Sequence, residues 1–463
     1  MTPNWPTPGH EPTRQGAWRS AKALAAHVRV LLGLPPGAHP RPVIRTAVEL
    51  PEHWWIDPQA LAHQPLLAFR APGQRWHTGL GEAISCPIKL LRYEPHPDRP
   101  GELRPQSGDV AAAQHWVDSL HVSCPAAVVA GFPTRQADGQ WAAPLHLWLP
   151  RLWLIDGPVW EVAIVMDHVR TRQELAAEVE ALLASICSEP QPLTSPLSLV
   201  QESEADVARA LQMIADPAQG LEKVVLGWPR DWSGGAQESQ VWRHLREHRS
   251  DAWCSIAKVG DFEFFCASPE LLIQARDGGL RSLALAGTPT HPVGATIEGL
   301  ESSVMAVEHN VVVDYISRNL MDLGLSPRHA PPRLRPAGPL MHWATSVEVG
   351  QRGEVGALTA AMHLHPTPAL LGLPRATALE ALSQLEASQR GWYGGFAGLL
   401  AGDGSGDGEL AVLLRGAQRQ NHGWHAWAGA GLVAGGDPLG ERQEIMNKHK
   451  ALADGLGLSG AMS

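Results

Sequence analysis

Apolar and polar positions follow two different rhythms along the chain. From about residue 41 to 168 the apolar runs are short and separated by Pro/Gly turns: VIRTAVEL, PLLAFRA, WHTGLG, LHLWLP, LWLI and VWEVAIVM. Such runs, bounded by turn residues, predict a mainly antiparallel β region. Ahead of them, residues 1–17 are rich in Pro, Gly, Thr and charge. Residues 18–33 carry an amphipathic pattern that stops at Gly33 and Pro35-Pro36, which predicts a tail followed by a helix. Helices are predicted at 171–187 and 202–214, and the Pro-rich stretch 189–200 reads as a linker between two halves of one fold. Beyond it strands and helices alternate. Strands are predicted near 223–228, 253–258, 262–267, 280–286, 342–350, 396–401, 409–416 and 423–429. Helices are predicted near 239–248, 301–323, 376–388 and 440–456. The expected organisation is a tail and helix over 1–40, a β-rich half over 41–190 and a second part over 191–463.

Composition narrows the function classes. With 463 residues, 44% of them hydrophobic, the chain can bury a large core. A formal net charge of −10 argues against a nucleic-acid or anionic-membrane surface. No stretch approaches the roughly 20 apolar residues of a membrane helix, and the first residues lack the apolar run of a secretory signal. Five scattered cysteines with no CxxC pair fit a reducing cytoplasm better than a disulfide framework or a thiolate zinc site. A cytoplasmic protein is expected, with neither nucleic acid nor membrane as partner.

Several polar residues then stand out against the pattern. In LEKVVLGWPRD, Lys223 heads the apolar run Val224-Val225-Leu226. It is either a solvated strand end or a lysine held inside for its chemistry. In ESSVMAVEHNVVVDYISRNLMDLG, Glu308 lies on the helical stripe Val304, Val311/Val312, Tyr315, Leu320. It either reaches water at the helix edge or needs a cation. Glu444 and Lys448 are spaced i,i+4, which taken alone is an exposed salt bridge. The Gly-rich AWAGAGLVAGGDP before them lets a ligand approach the backbone. Glu270 follows Ser268-Pro269 and is expected at the start of a short helix, where the dipole favours a carboxylate. Arg415, in AVLLRGA, is a strand-edge residue or a carboxylate clamp. His365 sits in the rigid Pro-rich loop LHPTPALLGLP. GDGSGDG, 402–408, has Leu414 where a calcium loop needs Glu, and no Gly-Lys-Ser/Thr follows. A hairpin turn is expected there.

Taken in order, EKVVL, ASPELL, LALAGT, EHNVVVDYI, LHPTPALLGLP, RGWYGGFAG, GELAVLLRGA and AGAGLVAGGDPLGERQEIMNK resemble the catalytic core of the chorismate-utilising enzymes. These include anthranilate synthase component I, aminodeoxychorismate synthase component I, salicylate synthase and isochorismate synthase. The resemblance is strong over about 200–457 and weaker over 41–168. It implies an α/β fold of the α+β kind: one large domain, two antiparallel sheets stacked and flanked by helices, with the chorismate-binding core in 191–463. Isochorismate and salicylate synthases carry a lysine where Lys223 stands, and the amine-transferring members usually do not.

That resemblance implies a division of labour. Lys223 would be the base that activates water for attack at C2 of chorismate, and Glu270 the acid that protonates the departing C4 hydroxyl. Glu308 and Glu444 would hold Mg2+. Arg415 and the Gly429 backbone would bind the enolpyruvyl carboxylate, with Lys448 nearby. Gly287 and Thr288 would line the ring site, and His365 would lie near the ether oxygen. Three positions depart from the family pattern: Val304 replaces a common lysine, Trp228 an arginine, and GGDP a Ser-Asp-Pro turn. The resulting expectation is a Mg2+-dependent isochorismate synthase with no obligatory glutaminase subunit. Salicylate synthase, an ammonia-using synthase component and an inactive partner-binding paralogue are the alternatives. Whether the product serves menaquinone or siderophore synthesis is open.

Overall fold

The computed structural model describes residues 43–48, 54–56, 61, 64–156, 160–166, 171–188, 195–202, 206–287, 304–338, 340–420 and 423–458. Two large antiparallel sheets dominate it. The first runs in the order Val43–Val48, Trp160–Val165, Leu152–Ile155, His77–Leu80, Leu66–Arg70, Trp253–Val259, Phe262–Ser268, Gly416–Gln420, Gly423–Val433, Lys223–Gly235 and Ser195–Glu202. The second runs Arg328–His329, Leu340–Val349, Gly279–Ala286, Leu271–Arg276, Gly408–Val412, Phe396–Leu400, Ala126–Ala130, Trp141–Leu149, Leu90–Pro95 and Leu103–Pro105. Strands from both halves of the sequence are interleaved. Leu66–Arg70 pairs with Trp253–Val259, and Ala126–Ala130 with Phe396–Leu400.

The two-residue period of a strand sorts the apolar residues into layers. Leu67 and Phe69 join Val129, Leu145 and Leu399 of the second sheet in the main core. Their neighbours Leu66 and Ala68 point the other way. They join a second core with Leu175, Val179 and Leu182 of helix Arg172–Ala184 and Val241, Trp242 and Leu245 of helix Glu238–His248. A buried side chain of this kind contributes roughly 1.5–3 kcal/mol. Continuous apolar runs such as VVL therefore make central strands, buried on both faces, whereas amphipathic runs make the flanking helices. The expected fold class is the one observed.

Local expectations fare unevenly. Within the segment read as a linker, Ser195–Glu202 is an edge strand paired to Lys223–Gly235 with two register shifts. An edge tolerates Pro196 because one side of the strand needs no ladder donor. The expected helix start at Glu270 is absent. Leu271–Arg276 is a strand whose ladder to Gly408–Val412 wins over the local cue. The strand expected over 409–416 is two, Gly408–Val412 and Gly416–Gln420, with Arg415 at the break in left-handed backbone, φ 51°. Helices Ser107–Asp118 and Ala357–Leu364 were not anticipated. Residues 402–408 do connect a hairpin, Phe396–Leu400 to Gly408–Val412. The helix expected over 18–33 lies outside the described residues. Among the described residues, no helix is long and apolar enough to cross a membrane.

Candidate active site

Two neighbouring strands and two helices build one chamber. Lys223–Gly235 lies antiparallel to Gly423–Val433, with Val225 opposite Gly431 and Gly227 opposite Gly429. Glycine is required on this floor. A Cβ on Gly431 would stand 2.0 Å from Glu308 Oε1, and one on Gly429 would stand 2.8 Å from Leu226 O. Helix Val304–Asp322 carries Glu308 to the floor, and helix Pro438–Gly455 carries Glu444 and Lys448. The chamber, with its mouth, encloses about 620 Å³ and is also lined by Glu270, Gly287 and Arg415.

Lys223 is not a solvated strand end. It is 0% exposed, with Nζ 3.3 Å from Glu308 Oε1. Burial lowers its pKa from the ordinary lysine value, against the opposing pull of Glu308. The side chain lies beside the floor and is not itself part of the lining. Its Cε is 3.2 Å from where a Gly431 Cβ would be.

Glu270 is 3% exposed and sits in the two-residue break between Phe262–Ser268 and Leu271–Arg276. Its carbonyl accepts from Val412 N at 3.1 Å, which pins the break to the neighbouring strand. Burial pushes the carboxyl up to about 8, with Lys223 and Lys448 pulling the other way. It is therefore a protonated acid at neutral pH, facing into the chamber.

Arg415 donates from Nη2 to His342 Nε2 at 3.0 Å. Burial lowers the guanidinium to about 10, so it stays charged at neutral pH. His342, also on the chamber wall, is held well below its ordinary pKa, by burial first and then by Arg415 and Lys448. It is neutral, as an acceptor for Arg415 must be. Lys448 Nζ donates to Gly429 O at 2.8 Å and to Glu444 Oε1 at 2.5 Å. The i,i+4 pair read as an exposed salt bridge is thus turned into the chamber.

A third carboxylate, Glu441, stands one turn before Glu444. Burial, then Glu444 and Glu308, raise it to about 8. Glu308, Glu444 and Glu441 bring three carboxylates to one side of the chamber, where Lys223 and Lys448 are the nearby cations. This donor chemistry fits a divalent cation held by two carboxylates, with water and ligand oxygens completing the shell. Among the described residues, no three His, Cys, Asp or Glu side chains already form a closed metal cage.

Gly287 lines the chamber with φ 81°, while Thr288 lies outside the described residues. His365 is elsewhere. It is 0% exposed, with Nε2 2.9 Å from Gly394 O and Nδ1 3.3 Å from Tyr93 Oη, and it does not line the chamber. Burial lowers it to about 4, so it ties the Pro-rich loop to the second sheet as a neutral imidazole. The expectation of a ligand-facing His365 is corrected accordingly. Residues that sequence reasoning missed are His342, Tyr393, Trp427 and Glu441. Glu441 was within reach, since GERQE sets it three residues before Glu444 on one helical face.

Comparisons with known proteins point to one family. A family model described as chorismate binding enzyme matches residues 160–457, well over half of the chain. The salicylate biosynthesis isochorismate synthase of Pseudomonas aeruginosa is 32% identical over 237 residues, 50% of this chain and 49% of that one. Anthranilate synthase component 1 of Streptomyces coelicolor is 33% identical over 278 residues, 57% of this chain and 52% of that one. The match thus spans about half the length of these relatives. The solved structure of the menaquinone-specific isochorismate synthase from Escherichia coli aligns with a TM-score of 0.68 at 22% identity, covering 95% of this chain and 100% of that one. That likeness is one of fold. With the family model matched across the very strands and helices that build the chamber, the chain belongs to the chorismate-binding enzymes.

Proposed function

We propose that the chain is a Mg2+-dependent isochorismate synthase of the cytoplasm, interconverting chorismate and isochorismate. The observation that carries this reading is Lys223, fully buried beside the chamber floor at the position where the amine-transferring relatives usually lack a lysine. The two groups the reaction needs are then on opposite protonation footings, a lysine whose neutral form is favoured by burial and a carboxylic acid that keeps its proton.

Water is a poor nucleophile and hydroxide a poor leaving group, so the exchange needs a base and an acid. Lys223 accepts a proton from water as the oxygen bonds to C2. The ring double bonds shift and the C4–O bond breaks. Glu270 gives its proton to the departing oxygen, which leaves as water. Lys223 ends protonated and Glu270 ionised, and proton exchange with solvent resets both. Arg415, oriented by His342, and Lys448 take the substrate carboxylates. Glu308 and Glu444, with Glu441 behind them, would hold Mg2+, whose chemistry is to bind and neutralise a substrate carboxylate.

Purified protein with chorismate and Mg2+, resolved by chromatography with and without ammonium, tests the reading. Isochorismate is the expected product in both. Salicylate, or an amino product that needs ammonium, would move the chain to a sister reaction. No product under any condition would favour a partner-binding paralogue.

A further inference from the structure

Strand Lys223–Gly235 has two edges. One pairs with Gly423–Val433 from Lys223 to Ser233. The other pairs with Gly372–Leu373 at Lys223 and Val224, and with Ser195–Glu202 from Arg230 onward. Between Val225 and Pro229 no strand covers that second edge among the described residues. Its buried backbone groups still need partners. Val225 N donates to Leu371 O at 2.9 Å. Beyond it, two side chains stand where a strand would. Arg390 Nη2 donates to Val225 O at 2.6 Å, and Gly227 N donates to Glu386 Oε1 at 2.8 Å. Pro229 has no N–H to satisfy.

The two side chains are a buried ion pair, 2% and 6% exposed. Arg390 Nε donates to Glu386 Oε2 at 2.9 Å, and Nη2 donates to Oε1 as well. Burial works against the guanidinium's charge, and Glu386 outweighs it. The remaining arm, Nη1, donates to Leu370 O at 2.7 Å. Arg390 Cζ lies 5.5 Å from the ring centre of Tyr393. Val225, Tyr393 and Ala369, the residue before Leu370, all line the chamber. Tyr393 Oη stands 3.1 Å from where a Cβ on the floor residue Gly429 would be. One guanidinium thus meets three separate segments of the chamber wall. Apolar residues of similar size often replace such a pair without loss of stability, but here they would leave Val225 O and Gly227 N without partners.

We propose that Arg390 and Glu386 are positioning residues, which bridge the gap in the ladder and set Val225, Ala369 and Tyr393 for the ligand. The identity of that ligand rests on the chorismate reading above. The test is Arg390→Lys, which keeps a cation beside Glu386 and loses the fork that reaches both carbonyls. Val179→Ala, in the second core away from the chamber, serves as the control for lost stability alone. In the ligand-free Lys variant, amide hydrogen exchange over 223–229, read by mass spectrometry, should be roughly tenfold faster. Kd for chorismate by calorimetry with Mg2+, and KM by product chromatography, should rise roughly tenfold. Turnover should stay within about threefold, because Lys223 and Glu270 are held by other partners. Unchanged exchange over 223–229, or Kd and KM no higher than in Val179→Ala, would overturn the proposal. Should the Lys variant fail to fold, Glu386→Gln keeps the shape without the charge, and the same outcomes decide. If the wild type binds no chorismate, the reading of the ligand fails while the exchange comparison still judges the pair.

Discussion

Replacing Glu270 by Gln should make the protein more stable at high pH and nearly inactive. The carboxyl is 3% exposed, and its midpoint stands at about 8 instead of the ordinary 4.5. The folded state therefore holds a proton that the unfolded state has lost anywhere between those values. Unfolding releases it, so this group's contribution falls as pH rises, by about 1.36 kcal/mol per pH unit. The contribution is complete below about 4.5 and gone above about 8, a ceiling of about 5 kcal/mol that water entering the chamber reduces to a few. A glutamine amide does not ionise and has nearly the same shape as the carboxyl. Urea unfolding of metal-free Glu270→Gln and wild type should give similar stabilities at pH 5 and an advantage of a few kcal/mol for the variant at pH 9. Glu441, raised in the same way, is present in both proteins and cancels. Turnover should fall by roughly 10²–10⁴, the usual worth of a positioned acid, with chorismate binding retained. A stability difference that stays constant from pH 5 to 9 would refute the protonated-acid assignment.

Lys223→Ala should lose isochorismate formation by roughly 10²–10⁴ while keeping the fold, and Lys223→Arg should not rescue it, because a guanidinium cannot accept water's proton; normal turnover in the Ala variant would remove the base. Glu308→Gln and Glu444→Gln should each abolish Mg2+ binding seen by calorimetry and Mg2+-dependent turnover alike, and full activity in excess chelator would refute both as metal ligands. His342→Phe takes away the acceptor 3.0 Å from Arg415 and should raise the KM for chorismate roughly tenfold, with His342→Asn closer to wild type; equal KM values in all three proteins would show that Arg415 needs no such guide.

The outline of the fold was open to reading because its elements obey simple periods. VVL reads as an interior strand, and the stripe of Val304–Asp322 as a helix with one apolar face. Lys223 was conspicuous for a related reason, a charge at the head of a run that had to be interior. Where reading failed, a distant partner decided the outcome. Ser195–Glu202 becomes a strand because Lys223–Gly235 offers it an edge. Glu270 lies between strands because Gly408–Val412 pairs with the residues after it. His342 has no signature in LMHWATS, since its meaning comes from Arg415, which is brought to it only by the folded sheets. His365 erred in the opposite direction: a histidine in a conspicuous motif turned out to be a tie between a loop and a sheet.

The interleaving of the two halves has a consequence for how the protein is made. When the ribosome has delivered Leu66–Arg70, its neighbour on one side, Trp253–Val259, has yet to be translated. Ala126–Ala130 waits longer still, for Phe396–Leu400. The nascent chain must carry apolar strands with open edges through most of synthesis, the condition under which chains aggregate or recruit chaperones. Neither sheet can close until the last third of the message has been read. A premature stop codon after the first half would thus leave no smaller enzyme behind, only strands without partners.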